Sequence, residues 1–125
     1  MSAIEFVRTV AIYVADQERS IRFFTEQLGF EVKVDVEMGP GRWIQVAPPG
    51  AETHLVLFPR VMMPNWSEQK ASIVFKCEDT GKASEELKAK GVKFVMEPTR
   101  MIWGTFASFE DLDGNQFFLV DAPQP

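Results

Sequence analysis

The stretch "VAIYVADQERSIRFFTEQLGF", Val10 to Phe30, decides the fold, because it contains a strand, a helix and the turn that follows the helix. The run Val7 to Val14 is mostly apolar and β-branched, and Asp16 is a residue type that caps helix N-termini. Gly29 stands where a helix end favours a positive φ. Apolar residues recur between them at spacings of three and four, which predicts one buried helical stripe. The stripe consists of Ile21, Phe24 and Leu28.

Three strands are predicted after this helix. The segment "FEVKVDVE" alternates between apolar and charged residues, which is typical of a half-solvated strand. Its predicted apolar face is Phe30, Val32, Val34 and Val36. Turn residues then separate "RWIQVA" from "THLVLF", so the order of elements is βαβββ.

The second half of the chain repeats this order. A strand "ASIVFKCED" precedes a helix "TGKASEELKAKG" and a strand "VKFVMEP", and Asp113-Gly114 predicts a hairpin within "GTFASFEDLDGNQFFLV". The two acidic caps, Asp16 and Asp79, lie 63 residues apart, which indicates an internal repeat. We therefore predict a single α+β domain with module one at residues 5–58, a linker at 59–70 and module two at 71–121.

Composition excludes several classes of protein. The chain has 125 residues, 46% of them hydrophobic with 11 Phe, enough for one domain with its own core. Its formal charge of −5 and its lack of a basic cluster argue against nucleic acid as a partner. It has no long apolar segment and no basic leader, so we expect a cytoplasmic protein with no membrane association. The single Cys77 cannot form an internal disulfide, and we expect it in the core.

The two βαβββ modules, the opening strand-Asp-helix-"LGF" pattern and the closing "FEDLDGNQFFLVD" together resemble the vicinal oxygen chelate superfamily. Its members include glyoxalases, bleomycin resistance proteins and extradiol dioxygenases. The resemblance covers nearly the whole chain, and it implies a glyoxalase-like fold: a curved mixed sheet with helices outside and a binding site in its trough. It implies no single activity, so function has to come from the residues of the trough.

The resemblance also implies where a metal site would be. Metal-using members place up to four ligands on the first and last strands of the modules, and the corresponding residues are expected to be Thr9, His54, Ser72 and Phe118. Two hydroxyls, one imidazole and a phenyl ring do not make a transition-metal site, and one histidine cannot supply the two that the non-haem iron triad needs. We therefore expect no metal and no cofactor. A carboxylate-rich Mg or Mn site is the form of metal binding left open.

Strand periodicity predicts which other residues line the trough. The face opposite the helices, called the trough face here, is predicted to be mostly apolar with a few polar points. Trp103 is predicted on a loop at the mouth of the trough, with Arg100 beside it. The predicted ligand-binding residues are Thr9, Tyr13, His54, Ser72, Lys76, Trp103, Gln116 and Phe118.

Two classes of function remain open. The first is a metal-free protein that binds a small, largely apolar or aromatic molecule, as the bleomycin resistance proteins of the superfamily do between two subunits. The second is an enzyme, a lyase or isomerase of the glyoxalase kind or a dioxygenase-like oxidoreductase, with His54 in acid–base chemistry or in a degenerate, carboxylate-rich metal site. The candidate partners of His54 are Tyr13, Glu52, Ser72 and Lys76.

We also predict a homodimer. Exposed sheet edges and the apolar linker residues Met62 to Trp66 are surfaces that a partner chain would cover. The sequence leaves open whether the modules pair within one chain or swap between chains.

Overall fold

The computed structural model describes residues 2–102 and 104–121. Within these residues the predicted α+β class and the two βαβββ modules are confirmed. The elements are β1 (Thr9–Val14), α1 (Gln17–Arg22), β2 (Glu31–Met38), β3 (Gly41–Ala47), β4 (His54–Pro59), β5 (Ser72–Lys76), α2 (Thr80–Ala89), β6 (Phe94–Met101), β7 (Gly104–Glu110) and β8 (Gln116–Val120). Two short 3-10 turns, Arg60–Met62 and Trp66–Glu68, lie in the predicted linker.

Each module forms its own four-stranded mixed sheet. The strand order is β1-β4-β3-β2 in the first sheet and β5-β8-β7-β6 in the second. The first and last strands of each module pair in parallel, and the remaining neighbours are antiparallel. The internal repeat seen in the sequence is therefore a repeat of topology as well.

The first helix changes its winding part of the way along. Asp16 caps its start by accepting a hydrogen bond from the backbone N–H of Arg19 at 3.1 Å, as predicted. Beyond Arg22 it widens into a π-helical segment, Phe23–Gln27, and it ends at Gly29 with φ of +77°. Because each π turn holds an additional residue, both phenylalanines of this segment are buried, whereas the predicted stripe included only Phe24.

Strand β2 differs from the perfect alternation that the sequence predicts. Val32 lies opposite Val46, whereas Val34 lies opposite Gln45, so the register shifts by one residue between them. Val46 is buried on the helix side, and Gln45 lies on the trough face. The prediction that Val32, Val34 and Val36 share one face is therefore wrong, because this β-bulge inserts an extra residue into the strand.

The two modules share one hydrophobic core. Phe24 of the first helix lies 5.9 Å from Phe117 of β8 between ring centroids, and Phe30 lies 5.5 Å from Phe75 of β5. The helix-side residues of both sheets belong to this one buried cluster. The trough faces of the two sheets therefore both point away from the common core.

The predicted hairpin between β7 and β8 is present and connects the modules. Asp111 is buried, and its carboxylate accepts hydrogen bonds from the backbone N–H of Asp113 and Asn115. Burial nevertheless raises the pKa of Asp111 above its ordinary value. The neighbouring Asp113 accepts a hydrogen bond from the backbone N–H of Ala15 at 2.9 Å. The acidic turn thus fastens module two to the end of β1.

Candidate functional site

The trough face of the first sheet carries an aromatic wall, defined as Tyr13, Trp43 and Phe58. Phe58 lies beside Tyr13 in the parallel pair of β1 and β4. Its ring meets both neighbours edge to face, with centroid distances of 6.0 Å to Tyr13 and 6.4 Å to Trp43. All three side chains are half-buried. Rings in this arrangement offer a large apolar surface that a flat molecule can contact.

The His54 ring is held by an amide from the neighbouring strand. Nδ1 of His54 lies 2.8 Å from Oε1 of Gln45. Gln45 lies opposite Val56, so it reaches His54 diagonally across the β3–β4 pair. None of the four expected partners makes this bond, and sequence analysis missed Gln45. The alternation in "RWIQVA" places Gln45 on the same face as Trp43, so this signal could have identified Gln45 as a trough residue, although not as the partner of His54.

The trough face of the second sheet is more open. Ser72 lies opposite Gln116, and Val74 lies opposite Phe118. Phe118 is half-buried, whereas the other three are exposed. Lys76 is also exposed, and its Nζ donates a hydrogen bond to the backbone carbonyl of Cys77 at 2.9 Å. Cys77 itself is only partly buried.

One chain brings the predicted ligand-binding residues together in two groups. The first half-site consists of Thr9, Tyr13 and His54 on sheet one, and the second half-site consists of Ser72, Lys76, Gln116 and Phe118 on sheet two. Over residues 2–102 and 104–121, no hydrogen bond, ion pair or ring contact joins a member of one half-site to a member of the other. The remaining predicted residue, Trp103, lies outside the described residues.

The strand pairing corrects one expected equivalence between the modules, that of His54 with Phe118. His54 lies opposite Thr9, but Phe118 lies opposite Val74, which is two residues further along its strand than Ser72. The counterpart of Phe118 in module one is therefore Val56, and the counterpart of His54 is Gln116. Sequence patterns place residues on a face but do not fix the register between strands, which is why the equivalence of His54 and Phe118 was wrong.

The strand registers also determine which side chains occupy the four positions where metal-using members of the superfamily carry ligands. The four equivalent positions hold two hydroxyl side chains, from Thr9 and Ser72, and two apolar ones, from Val56 and Phe118. These are not the nitrogen, sulfur or carboxylate ligands that a divalent metal requires. In the part of the chain that the structure describes, no group of three or more His, Cys, Asp and Glu side chains could hold a metal ion. The residues present therefore do not fit the superfamily's metal site.

The carboxylates with shifted pKa values lie outside both half-sites. A hydrogen bond from Arg42 lowers the pKa of Asp35, and the same contact raises that of the guanidinium. Hydrogen bonds from two backbone N–H groups, of Thr105 and Thr80, lower the pKa of Asp121. These shifts belong to contacts that hold elements together, so they do not indicate acid–base chemistry in the trough.

One apolar cavity lies elsewhere, on the helix side of the sheets. Its volume is about 260 Å³, and its lining includes Phe30 from module one and Phe75 and Leu87 from module two. No member of the first half-site contributes to it, and Lys76 is the member of the second that does. It is therefore a gap between the modules rather than the predicted trough.

The paired βαβββ sheets and their trough faces define a class of protein, and comparison with known proteins gives the same class. Residues 7–119 match the model of the Glyoxalase/Bleomycin resistance protein/Dioxygenase superfamily, and the chain belongs to that superfamily. It is 50% identical to the uncharacterized protein YetH of Bacillus subtilis (strain 168), over 94% of this chain and 99% of the relative.

Solved structures show the same similarity. The chain superposes with a TM-score of 0.84 on TnmS3, an antibiotic binding protein from Streptomyces sp. CB03234, at 32% identity over 98% of this chain and 100% of the other. A superfamily member from Sphaerobacter thermophilus DSM 20745 gives a TM-score of 0.85 at 35% identity, over 94% of this chain and 97% of that one.

The described helices are all too short and too polar to cross a bilayer. The predicted cytoplasmic location stays a prediction.

Proposed function

We propose that this protein is a metal-free binding protein for a small, largely apolar or aromatic molecule. The observation that carries the proposal is the aromatic wall of Tyr13, Trp43 and Phe58 on the same sheet face as the hydrogen-bonded pair of His54 and Gln45. Apolar walls with a few placed polar groups are typical of small-molecule sites. The similarity to TnmS3, an antibiotic binding protein, supports the binding of a small molecule.

The complete site, in this proposal, forms between two copies of the chain. Each half-site is open to solvent, since both trough faces point away from the shared core. The trough faces also leave valines exposed, with Val36 52% and Val74 44% accessible. A homodimer that places sheet one of one copy opposite sheet two of the other would cover these valines and close the trough.

An enzyme is the alternative, and one observation favours it. The bond between Nδ1 of His54 and Gln45 fixes the ring and leaves Nε2 available, which is the arrangement of an oriented general base. The partner is an amide rather than a carboxylate, so it does not stabilise an imidazolium as strongly. This difference favours binding over acid–base catalysis.

A thermal-shift screen of aromatic compounds, run with and without zinc, nickel, cobalt, magnesium and manganese, tests the proposal. We expect some compounds to raise the melting temperature in the absence of every metal, because a ligand that binds only the folded state stabilises it. A melting temperature that responds to compounds only when a metal is present would contradict the metal-free site. Mass spectrometry of the recovered compounds separates the alternatives, since a binding protein returns them unchanged and an enzyme does not.

A further inference from the structure

We propose that Gln45 is a positioning residue that fixes the tautomer of His54, and that the site consequently selects aromatic molecules carrying a hydroxyl group. This inference rests on the proposed function, because it names the class of ligand that the same trough takes.

The chemistry of the His54–Gln45 bond determines which ring nitrogen carries the proton. The Gln45 atom that lies 2.8 Å from Nδ1 of His54 is the amide oxygen, which accepts hydrogen bonds and cannot donate them. With the amide in this orientation, Nδ1 carries the proton. A neutral imidazole has one N–H, so Nε2 then presents a bare lone pair.

The Gln45 side chain lies among apolar neighbours. Its strand partners on the two sides are Val34 and Val56, and Val56 is only 1% exposed. Neither valine offers a competing hydrogen bond. The bond is partly buried, so water weakens it less than it would weaken a fully exposed bond, and the amide holds the ring in one tautomer.

Nε2 of His54 can accept a hydrogen bond from a ligand. Within residues 2–102 and 104–121, Nε2 of His54 makes no hydrogen bond, and the side chain is only half-buried. The lone pair is therefore accessible from the trough, on the same face of sheet one as the aromatic wall. A hydroxyl on an aromatic ring can donate to it, whereas an ether or carbonyl oxygen at the same place would meet a second acceptor. The site should therefore bind a molecule with this hydroxyl more tightly than the same molecule with an ether or carbonyl oxygen, since an unpaired polar group in a binding site lowers affinity.

Nitrogen NMR of the ring tests the tautomer directly. His54 is the only histidine, so a chain without a histidine tag gives one set of imidazole signals. At mildly alkaline pH we expect the protonated nitrogen to be Nδ1 in the native protein and in the control Gln69→Leu, which changes an exposed glutamine outside both half-sites. In Gln45→Leu we expect a mixture of tautomers. A native ring protonated at Nε2 would overturn the proposal.

A matched pair of probes tests the ligand class. We expect 2-naphthol to bind the native protein roughly 5- to 10-fold more tightly than 2-methoxynaphthalene, the gain of about one hydrogen bond. This preference should fall severalfold in Gln45→Leu and stay unchanged in Gln69→Leu. Equal binding of the two probes by the native protein would overturn the hydroxyl selectivity and leave the proposed function intact. Binding of neither probe would also overturn the proposed ligand class; the thermal-shift screen would then decide the proposed function, and the NMR result would decide the role of Gln45.

Discussion

Asp121 joins two elements of module two through its carboxylate. It accepts hydrogen bonds from the backbone N–H of Thr80, at the start of α2, and of Thr105, in β7. Both bonds favour the ionised form and lower the pKa of Asp121. A carboxyl whose pKa is lower in the folded state stabilises the fold above its unfolded pKa, and this contribution is lost as the pH falls through the folded value.

We therefore predict that Asp121→Asn lowers the melting temperature at pH 7 and that the difference from the native protein shrinks as the pH is lowered through the depressed pKa of the native carboxyl. Thermal denaturation followed by circular dichroism over this range measures the effect. Glu85→Gln, which changes an exposed carboxylate on α2, is the control and should change the melting temperature little at pH 7. A difference that stays constant with pH would contradict the assignment.

At the same scale, the sequence predicts the position of His54 but not its partner. Periodicity places His54 on the trough face of a strand, and the pairing of β1 with β4 agrees with this. The bond to Gln45 depends on which residues of β3 and β4 lie opposite one another. That register is set by tertiary packing and by the connection between the strands, and no local pattern in "RWIQVA" or "THLVLF" contains it.

At the scale of elements, the two helices are fastened to their sheets in equivalent ways by different residues. Gln17, just after the first cap, donates from Nε2 to the carbonyl of Arg42 in β3 at 2.7 Å. Thr80, just after the second cap, donates from Oγ1 to the carbonyl of Thr105 in β7 at 2.7 Å. The topology repeats although the residues differ, which is why spacing predicts the elements and not these contacts.

The sequence also does not reveal the two irregular segments, the β-bulge in β2 and the π-helical segment after α1. The β-bulge at Val32 and Val34 is defined by the partner strand β3. The π-helical segment Phe23–Gln27 coincides with burial of two adjacent phenylalanines against the core. Both features depend on tertiary partners, and these override the local period that predicted a regular strand and a regular helix.

The π-helical segment has a measurable role, because it places Phe24 between the modules. Phe24 is fully buried and contacts Phe30 as well as Phe117 of β8. We predict that Phe24→Ala lowers the free energy of unfolding by about 3–5 kcal/mol, the usual cost of deleting a buried phenyl ring. Urea denaturation gives this value. Phe6→Ala removes a ring that is 45% exposed and should cost less than about 1 kcal/mol. A similar cost for both variants would contradict the shared core.

At the scale of the whole molecule, the sequence predicts two modules and the face of each strand that lines a trough. It does not predict how the two troughs are oriented relative to one another. Periodicity relates a residue to the helix of its own module, whereas the relation between the sheets comes from contacts such as Phe24–Phe117 and Phe30–Phe75. These contacts turn both helix sides inward, so the half-sites of one chain face away from the common core.

In the proposed dimer, a complete site combines sheet one of one copy with sheet two of the other. The most direct measurement is the binding capacity of a mixture of His54→Ala, which damages the first half-site, and Phe118→Ala, which damages the second. Each variant alone should bind 2-naphthol weakly. A mixed dimer contains one site with both defects and one site with neither.

Refolding the two variants together at equal concentrations and titrating by calorimetry measures the recovered sites. We expect about one quarter of the native capacity at native affinity, because half of randomly formed dimers are mixed and each has one intact site out of two. Sedimentation should show dimers throughout. A mixture that binds no better than the separate variants, each of them dimeric and folded, would contradict a site shared between chains.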